Sequence, residues 1–324
     1  QGTTSSGRRS ITDAQTASSN DPERAGRHYE PPRKRGPGIE SFKTKLKKEG
    51  PASAPGKAPL KFTIITPNKN GERFLEETVR SVLSQREPGV ELEYIVIDGG
   101  STDGSLKIIH RHERDITRII SEPDRGPAFA INKGLRLASG ELIAWLNADD
   151  RYHPGTLNRV ALAMAARPGK SLCFGGCRIV GEKGEEIRQG ITRFKEAFFP
   201  FSSRFTIQCL NYISQPAMFF RRTALKAAGY LREDMAAAWD YDLTLRLWRQ
   251  GGAVRVPGPP LADFRWHPGS ISARRFHEQF REEFDAAARD AGRLAPQTWI
   301  HWLVRWGIVG AYSIMAASRG RNKP

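Results

Sequence analysis

Hydrophobic and polar positions alternate in two different periods through the middle of the chain, and together they predict a repeating order of strands and helices. Short apolar runs rich in β-branched residues occur in KFTIITPNKNG, LEYIVIDGGSTDG, ITRIISEPDRG and ELIAWLNADD, and such runs predict strands. Between them, segments such as ERFLEETVRSVLSQ repeat apolar residues every three to four positions, which is typical of a helix. The order β-α-β-α-β-α-β predicts an α/β fold with a mainly parallel sheet flanked by helices.

Polar clusters follow each of the four predicted strands, in TPNKN, DGGSTDG, EPDRG and NADD. Open sheets of this class bind ligands at the carboxyl ends of their strands, so we expect these clusters to share one site. Two familiar nucleotide motifs are absent: GGSTDG is not followed by the Lys and Ser/Thr of a phosphate-binding loop, and the first strand lacks G-x-G-x-x-G.

Two adjacent carboxylates, Asp149 and Asp150, end the fourth predicted strand. Hard divalent cations such as Mg²⁺ are bound by one or two carboxylates together with substrate phosphates, so these residues are candidate metal ligands. Asp is also favoured as the N-cap of a helix, and HPGTLNRVALAMAA follows. The pair alone leaves both interpretations open.

Charge and composition divide the chain of 324 residues, whose net charge is +16. Residues 1–60 contain 12 Lys and Arg against 6 Asp and Glu and few large apolar residues, which predicts a disordered basic tail. The remaining charge on the predicted domain is mild, so it does not point to nucleic acid. Cys173, Cys177 and Cys209 form no C-x-x-C pair, which favours a reducing, cytoplasmic compartment. No apolar secretory leader is visible near Gln1.

The most apolar stretch is WIHWLVRWGIVGAYSIMAA, residues 299–317, within a predicted helical segment 286–324. Its length is close to that of a membrane span, but Arg305 would be costly in lipid. Trp299, Trp302 and Trp306 lie close together on one helical face, which predicts peripheral contact with the inner face of the plasma membrane. Docking on the catalytic domain and a true span are the alternatives.

The four strand-end motifs, in this order and at these spacings, resemble the family-2 glycosyltransferases, which have the GT-A fold. The resemblance runs from about Lys61 to Ala273, inside a predicted domain of residues 61–285. It implies a hexosyltransferase-type enzyme that moves a sugar from a nucleotide-diphosphate sugar to a hydroxyl acceptor, with inversion and with Mg²⁺ or Mn²⁺. Cell-envelope or exopolysaccharide assembly, with a glycan or lipid-linked acceptor, is the pathway that we expect.

The resemblance also assigns residues on the donor side. The family's D-x-D element maps on Asn147-Ala148-Asp149, and Asn147 stands where the first Asp is usual. Asp149, with Asp150 as its neighbour and with His267, is therefore the expected metal site. The residues expected at the nucleotide-sugar are Thr66, Asn68, Asp98, Asp124, Arg125 and Asn147.

On the acceptor side, Asp240 is the expected catalytic base and Asp242 the second choice. Many relatives have Glu-Asp at this point, and Trp239 replaces that Glu. Both carboxylates also begin a predicted helix, where pairing with the helix dipole is a plainer explanation. Gln215 is expected in a wall of the acceptor site, or else in a buried connector. A loop that closes over the diphosphate is expected to include Ser270, Ser272 and Arg274.

Two other functions fit the same pattern. A non-catalytic module that binds nucleotide-sugar or carbohydrate would explain the departures at Asn147 and Trp239. A nucleotidyltransferase could share the sheet and the metal chemistry, but the first strand is not followed by a Gly- and Lys-rich triphosphate loop.

Overall fold

The computed structural model describes residues 59–307, and its centre is a seven-stranded sheet in the order β3-β2-β1-β4-β8-β6-β9. A second sheet has three strands in the order β5-β10-β7, and its strand β5 is the first to follow β4 in sequence. The strands are β1 (Leu60–Asn68), β2 (Val90–Asp98), β3 (Arg118–Ser121), β4 (Leu142–Trp145), β5 (Arg151–Tyr152), β6 (Leu172–Phe174), β7 (Cys177–Val180), β8 (Met218–Arg221), β9 (Ala253–Arg255) and β10 (Ala262–Arg265).

Helices connect and cover these strands. They are α1 (Glu72–Leu83), α2 (Ser105–Arg111), α3 (Pro127–Leu137), α4 (Thr156–Ala165), α5 (Gln189–Ala197), α6 (Arg204–Cys209), α7 (Arg222–Ala228), α8 (Trp239–Arg249), α9 (Ile271–Arg274), α10 (Phe276–Ala291) and α11 (296–307). Two short 3₁₀ turns occupy Phe199–Phe201 and Gln215–Ala217.

The predicted β-α-β-α-β-α-β order and parallel pairing are confirmed in the first half of the chain. Strand β1 pairs in parallel with both β2 and β4, and β2 pairs in parallel with β3. Strand β8 is antiparallel to β4 and β6, so the sheet is mixed but mostly parallel. The register sets Asn68 beside Asp98 at the carboxyl ends of β1 and β2.

Side chains of the sheet alternate between two buried cores, one on each face, as the pleat of a strand requires. In β1, Ile64 belongs to the core that contains Leu75 of α1 and Leu157 of α4. Its neighbour Ile65 belongs to the other core, with Ile131 of α3 and Leu243 of α8. Helices therefore cover both faces, as predicted, and the strand ends remain free to form a site.

Two strand boundaries differ from the sequence prediction. Strand β1 continues through Pro67, because β4 pairs with β1 only as far as Ile65, so the missing N–H of proline costs no bond on that side. Strand β4 ends at Trp145, before the carboxylates. Residues 147–150 form a turn in which the Asp150 N–H donates to the Asn147 carbonyl at 3.1 Å.

Predictions for the two ends of the chain fall mostly outside the described residues. This applies to residues 1–58 of the predicted tail, whereas Leu60 already belongs to β1. Of the apolar stretch, 299–307 lies in α11 and 308–317 lies outside. Within residues 59–307 no helix is both long and apolar enough to cross a bilayer. Trp299 and Trp306 are exposed on α11, and peripheral membrane contact stays a prediction.

Candidate active site

A cavity of about 1560 Å³ opens at the carboxyl ends of β1 and β4 and extends between α5, α8 and α10. It contains most of the residues that the sequence assigned to donor, metal and acceptor. The predicted residues that line it are Asn68, Asp124, Arg125, Asn147, Asp149, Gln215, Asp240, His267, Ser270, Ser272 and Arg274. The strand order explains this convergence, since neighbouring parallel strands end at one edge.

Asp98 lies beneath the donor side and accepts hydrogen bonds that hold the turn after β2. Its carboxylate accepts hydrogen bonds from Asn68 Nδ2 at 2.7 Å, from Ser101 Oγ at 2.5 Å and from the Ser101 N–H at 2.9 Å. Burial alone would raise its pKa, but these hydrogen bonds hold the pKa of Asp98 below its ordinary value. Asp98 and Thr66 are fully buried, and Thr66 Oγ1 accepts from Tyr94 Oη at 3.0 Å; neither lines the cavity.

Asp124 and Arg125 stand at the rim, after β3. Asp124 Oδ1 accepts the Gly126 N–H at 2.9 Å, and a Cβ at position 99 would lie 2.2 Å from Asp124 Oδ2, so a side chain at position 99 would displace the Asp124 carboxylate. The Arg125 side chain is 79% exposed and its guanidinium lies 4.6 Å from the centre of the Phe129 ring. The guanidinium lies 3.8 Å from Glu233, a long and exposed ion pair that an anionic ligand could replace.

The turn after β4 sends its two carboxylates in different directions. Asp149 faces the cavity, where its Oδ2 lies 3.0 Å from His267 Nε2. Asp150 is 1% exposed, and its Oδ1 accepts the Arg265 N–H at 2.9 Å. Burial, and then the charge of Asp149, raise the pKa of Asp150 well above its ordinary value. The structure therefore does not bring Asp150 to the cavity, and we leave it out of the metal site.

Arg265 is the residue that holds this turn in place, and the sequence analysis missed it. Its side chain is buried, and its Nε donates to the Asp149 carbonyl at 2.9 Å. Its other nitrogens bind Glu77 at 2.5 Å and the Gly181 carbonyl at 3.1 Å. The alternation of DFRW, in which Asp263 and Arg265 share one face of β10, was the available signal.

Asp149 and His267 fit a divalent cation that shares its shell with a substrate. Among residues 59–307, no group of three or more His, Cys, Asp and Glu side chains is arranged to hold a metal ion. The two side chains face a wide cavity and touch each other across 118 residues of sequence. One carboxylate with one imidazole leaves positions for diphosphate oxygens and water, as Mg²⁺ and Mn²⁺ sites commonly do.

Asp240 projects into the other side of the cavity from the first turn of α8. Burial, and next the neighbouring Glu283 carboxylate, raise the pKa of Asp240 to about 6. Asp242 lies elsewhere: it is 7% exposed and accepts hydrogen bonds from Arg246 Nε at 2.8 Å and Arg289 at 3.3 Å. Asp242 therefore forms ion pairs that hold α8 to α10, and it does not line the cavity.

Gln215 connects the two sides. Its Nε2 donates to the Trp145 carbonyl at 2.7 Å, and its Oε1 accepts from Asn147 Nδ2 at 3.3 Å. The side chain fastens the 3₁₀ turn before β8 to the end of β4. Both of these amides line the cavity.

Several residues of the acceptor side were not predicted. They come from separate helices and loops, and no strand-end motif marks them. The polar ones are Lys195, Asn211, Gln279 and Glu283, and the aromatic ones include Phe194, Phe276 and Phe280. Polar groups beside aromatic rings form a suitable surface for a hydroxyl-rich ligand.

A family model described as Glycosyl transferase family 2 matches residues 63–229, which is just over half of the chain. This range contains the strand-end residues Asn68, Asp124 and Asp149, and it ends before α8, His267 and α10. The chain therefore belongs to this family.

Individual relatives agree with this match. The poly(ribitol-phosphate) β-N-acetylglucosaminyltransferase TarS of Staphylococcus aureus is 26% identical over 201 residues, which are 61% of this chain and 34% of TarS. The chain therefore spans about a third of the length of that relative. An uncharacterized glycosyltransferase of Mycobacterium tuberculosis is 33% identical over 189 residues, 57% of this chain and 67% of that protein.

Solved structures show the same fold. S. aureus TarS 1–349 in complex with UDP-GlcNAc has a TM-score of 0.59 and 21% identity, covering 76% of this chain and 72% of that chain. The mannosyltransferase PcManGT of Pyrobaculum calidifontis, in complex with GDP-Man and Mn²⁺, has a TM-score of 0.56 and 19% identity, with coverage of 87% and 86%.

Proposed function

Because this chain belongs to glycosyl transferase family 2, we propose that it moves a sugar from a nucleotide-diphosphate sugar to a hydroxyl group of an acceptor. The transfer inverts the configuration of the sugar and uses a divalent cation. Asp149 and His267 serve the donor diphosphate, and Asp240 serves the acceptor.

One observation carries this proposal: Asp149 and His267 line the same cavity as Asp240, although the stretches of chain between them are long. A transferase that inverts configuration must hold the leaving group and the proton acceptor on opposite sides of one reacting carbon. A cavity of about 1560 Å³ has room for both substrates. A plain helix-cap role for Asp149 would not require this arrangement.

In the proposed reaction, Asp240 accepts the proton of the attacking hydroxyl group. The acceptor oxygen forms a bond to the anomeric carbon of the donor sugar, and the bond from that carbon to the diphosphate oxygen breaks. The electron pair leaves with the nucleoside diphosphate. A base whose pKa is about 6 is ionised at neutral pH and still accepts a proton readily.

Asp149 and His267 are the residues that would hold the cation. When bound, Mg²⁺ or Mn²⁺ supplies positive charge that offsets the charge developing on the diphosphate. Arg265 keeps the Asp149 backbone in place by its bond to the Asp149 carbonyl. Arg125 and Arg274 line the cavity, and they bind the remaining phosphate oxygens.

For the acceptor, we propose a hydroxyl-rich glycan or lipid-linked glycan of the cell envelope, modified on the cytoplasmic side. The printed name of TarS, a relative by sequence, specifies a poly(ribitol-phosphate) acceptor, a polymer with many hydroxyl groups. The acceptor side of the cavity supports this class, because carboxylate and amide groups lie beside the ring of Phe280.

The test is a panel of UDP-GlcNAc, UDP-glucose, UDP-galactose and GDP-mannose, with and without Mn²⁺. We expect one donor to raise the melting temperature more in the presence of Mn²⁺. That donor is then used in a transfer assay with ribitol-phosphate oligomers and sugar glycosides, with nucleoside diphosphate release as the readout. No binding of any nucleotide-sugar would reject the proposal.

The same experiment distinguishes a transferase from the alternative, a non-catalytic module that binds nucleotide-sugar. Asn147 and Trp239, the two departures from the family pattern, are the observations that favour it. A module would bind a nucleotide-sugar with the same affinity in wild type and in Asp240→Asn, and neither protein would release the nucleoside diphosphate.

A further inference from the structure

The outward face of α11 is apolar along its whole described length after residue 298. The exposed residues there are Trp299, Ile300, Trp302, Leu303, Trp306 and Gly307. The buried positions on the other face are Thr298 and His301, which are polar. A surface helix normally turns its apolar stripe to the core and its polar residues to water, so the pattern of α11 is reversed.

Polar side chains attach this helix to the rest of the domain. His301 Nδ1 donates to the Gln208 carbonyl at 3.0 Å, and Gln297 Nε2 donates to Gln208 Oε1 at 3.2 Å. Thr298 Oγ1 donates to the Gly292 carbonyl at 2.8 Å, which holds the turn before the helix. Hydrogen bonds thus set the orientation of α11, and within residues 59–307 its tryptophans remain exposed.

This helix concentrates the exposed apolar surface of the described residues. Six of the eleven large exposed apolar side chains among residues 59–307 lie between Leu294 and Trp306. Trp302 and Trp306 contact each other, with ring centres 6.3 Å apart, and Phe205 is exposed on α6, the helix that carries Gln208. Exposed apolar patches of this kind mark a surface that binds another protein or a membrane.

Charge complementarity indicates that the partner is an anionic membrane. Residues 291–324 contain five Lys and Arg and no Asp or Glu. Basic residues beside exposed tryptophans are typical of interfacial helices, whose charges attract anionic lipid and whose indole rings lie at the headgroups. A second copy of the chain fits less well, because a symmetric contact through α11 would bring two equally basic segments together.

We propose that α11 docks the protein on an anionic membrane surface, with the rings of Trp299, Trp302 and Trp306 at the level of the lipid headgroups. Val304 and Arg305 of the same helix line the cavity, so its acceptor side lies next to the docked face. A lipid-linked acceptor then reaches the cavity from the surface to which the protein is bound. The docking itself does not depend on transferase activity, so it is tested separately.

The first test is co-sedimentation of the full chain with two kinds of vesicle, phosphatidylcholine alone and an equal mixture of phosphatidylcholine and phosphatidylglycerol. We expect binding to the anionic vesicles to be at least about tenfold tighter. Residues 1–60 are also basic, so the decisive comparison is between variants that all keep this tail.

Variants of α11 test the docked face. The combined variant Trp299→Ser, Trp302→Ser and Trp306→Ser should bind anionic vesicles at least about 30-fold more weakly, since three aromatic rings no longer leave water. Leu303→Glu is a second variant and should bind them about tenfold more weakly. Leu162→Ser is the matched control: Leu162 is 61% exposed on α4, away from this helix in sequence, and the variant should bind as the wild type does.

Three results would overturn the inference. The first is equal vesicle binding by the wild type and both α11 variants. The second is a wild type that binds no vesicles and forms a dimer in sedimentation velocity that the triple tryptophan variant dissociates, which would assign the face to a second copy. The third is a wild type that binds no vesicles and a triple variant with a lower melting temperature, which would assign the face to another segment of this chain.

These outcomes are distinct from those that test the proposed function. Transferase-active protein that does not bind vesicles would reject the membrane docking alone. Protein that binds vesicles through α11 but binds no nucleotide-sugar would reject the transferase alone.

Discussion

The donor and acceptor sides of the cavity are built in different ways. On the donor side, Asn68 is the last residue of β1, and Asp124 and Asp149 follow β3 and β4 within four residues; these strands belong to the parallel part of one sheet. On the acceptor side, Asp240 and Glu283 come from α8 and α10, which follow the mixed part of the sheet. The first side is determined by strand order, and the second by how helices pack.

The family match covers the strand-end residues of the donor side and stops before α8 and α10. A strand-end motif keeps its position as long as the sheet is kept, so the donor side is readily shared among relatives. Helices that pack over a sheet can change their contacts while the fold remains, so the acceptor side is the part in which specificity can vary. The next four predictions test whether the two sides have these different roles.

The largest expected effect is that of Asp240→Asn, which removes the proton acceptor and preserves the shape of the side chain. We expect kcat for transfer to fall about 10²- to 10⁴-fold, the usual contribution of a general base. Donor affinity, measured by calorimetry, should not change, because Asp240 lies on the acceptor side. Asp234→Asn, an exposed carboxylate before the same helix, is the control and should retain wild-type turnover.

Asp149→Ala should act on the opposite side. In the presence of Mn²⁺, we expect the Kd of the nucleotide-sugar to rise by up to about 100-fold, since one of the two protein ligands of the cation is lost. Without Mn²⁺, the variant and the wild type should bind the donor equally. Equal loss of affinity in both conditions would show that Asp149 supports the fold and not the cation.

Arg265→Met should mainly lower the stability of the fold, because Arg265 holds the Asp149 turn and does not contact the substrates directly. The change removes the Arg265 donors from the carbonyls of Asp149 and Gly181, of which Gly181 keeps the Gly184 N–H, and leaving a buried acceptor unpaired costs about 1–3 kcal/mol. We expect the free energy of unfolding to fall by about 3 kcal/mol in urea denaturation. A fall below about 0.5 kcal/mol would mean that the Asp149 turn does not depend on Arg265.

The smallest effect is a graded one, the dependence of transfer on pH. Asp240 accepts a proton only when it is ionised, and its pKa is raised to about 6. The rate should therefore be constant above this pH and fall about tenfold for each pH unit below it. An acid limb near pH 4, the ordinary range of an aspartate, would show that Asp240 is not the group that titrates.

The sequence predicted the sheet, and most of the strand-end clusters do meet at one cavity, for a physical reason. Apolar runs and the polar clusters after them are local features, and parallel pairing brings them together without further information. It could not predict that Asp150 turns towards Arg265, because the direction of a side chain in a tight turn depends on a partner 115 residues away. Glu283 was missed for a similar reason: on its own helix it is one acidic residue among several.

The most direct test of the shared cavity is a crystal structure with Mn²⁺ and the nucleotide-sugar that stabilises the protein most, with data collected at the manganese edge. The account predicts an anomalous peak beside Asp149 and His267, with the anomeric carbon of the sugar between that peak and Asp240. A peak at another place, or a sugar that points away from Asp240, would contradict it.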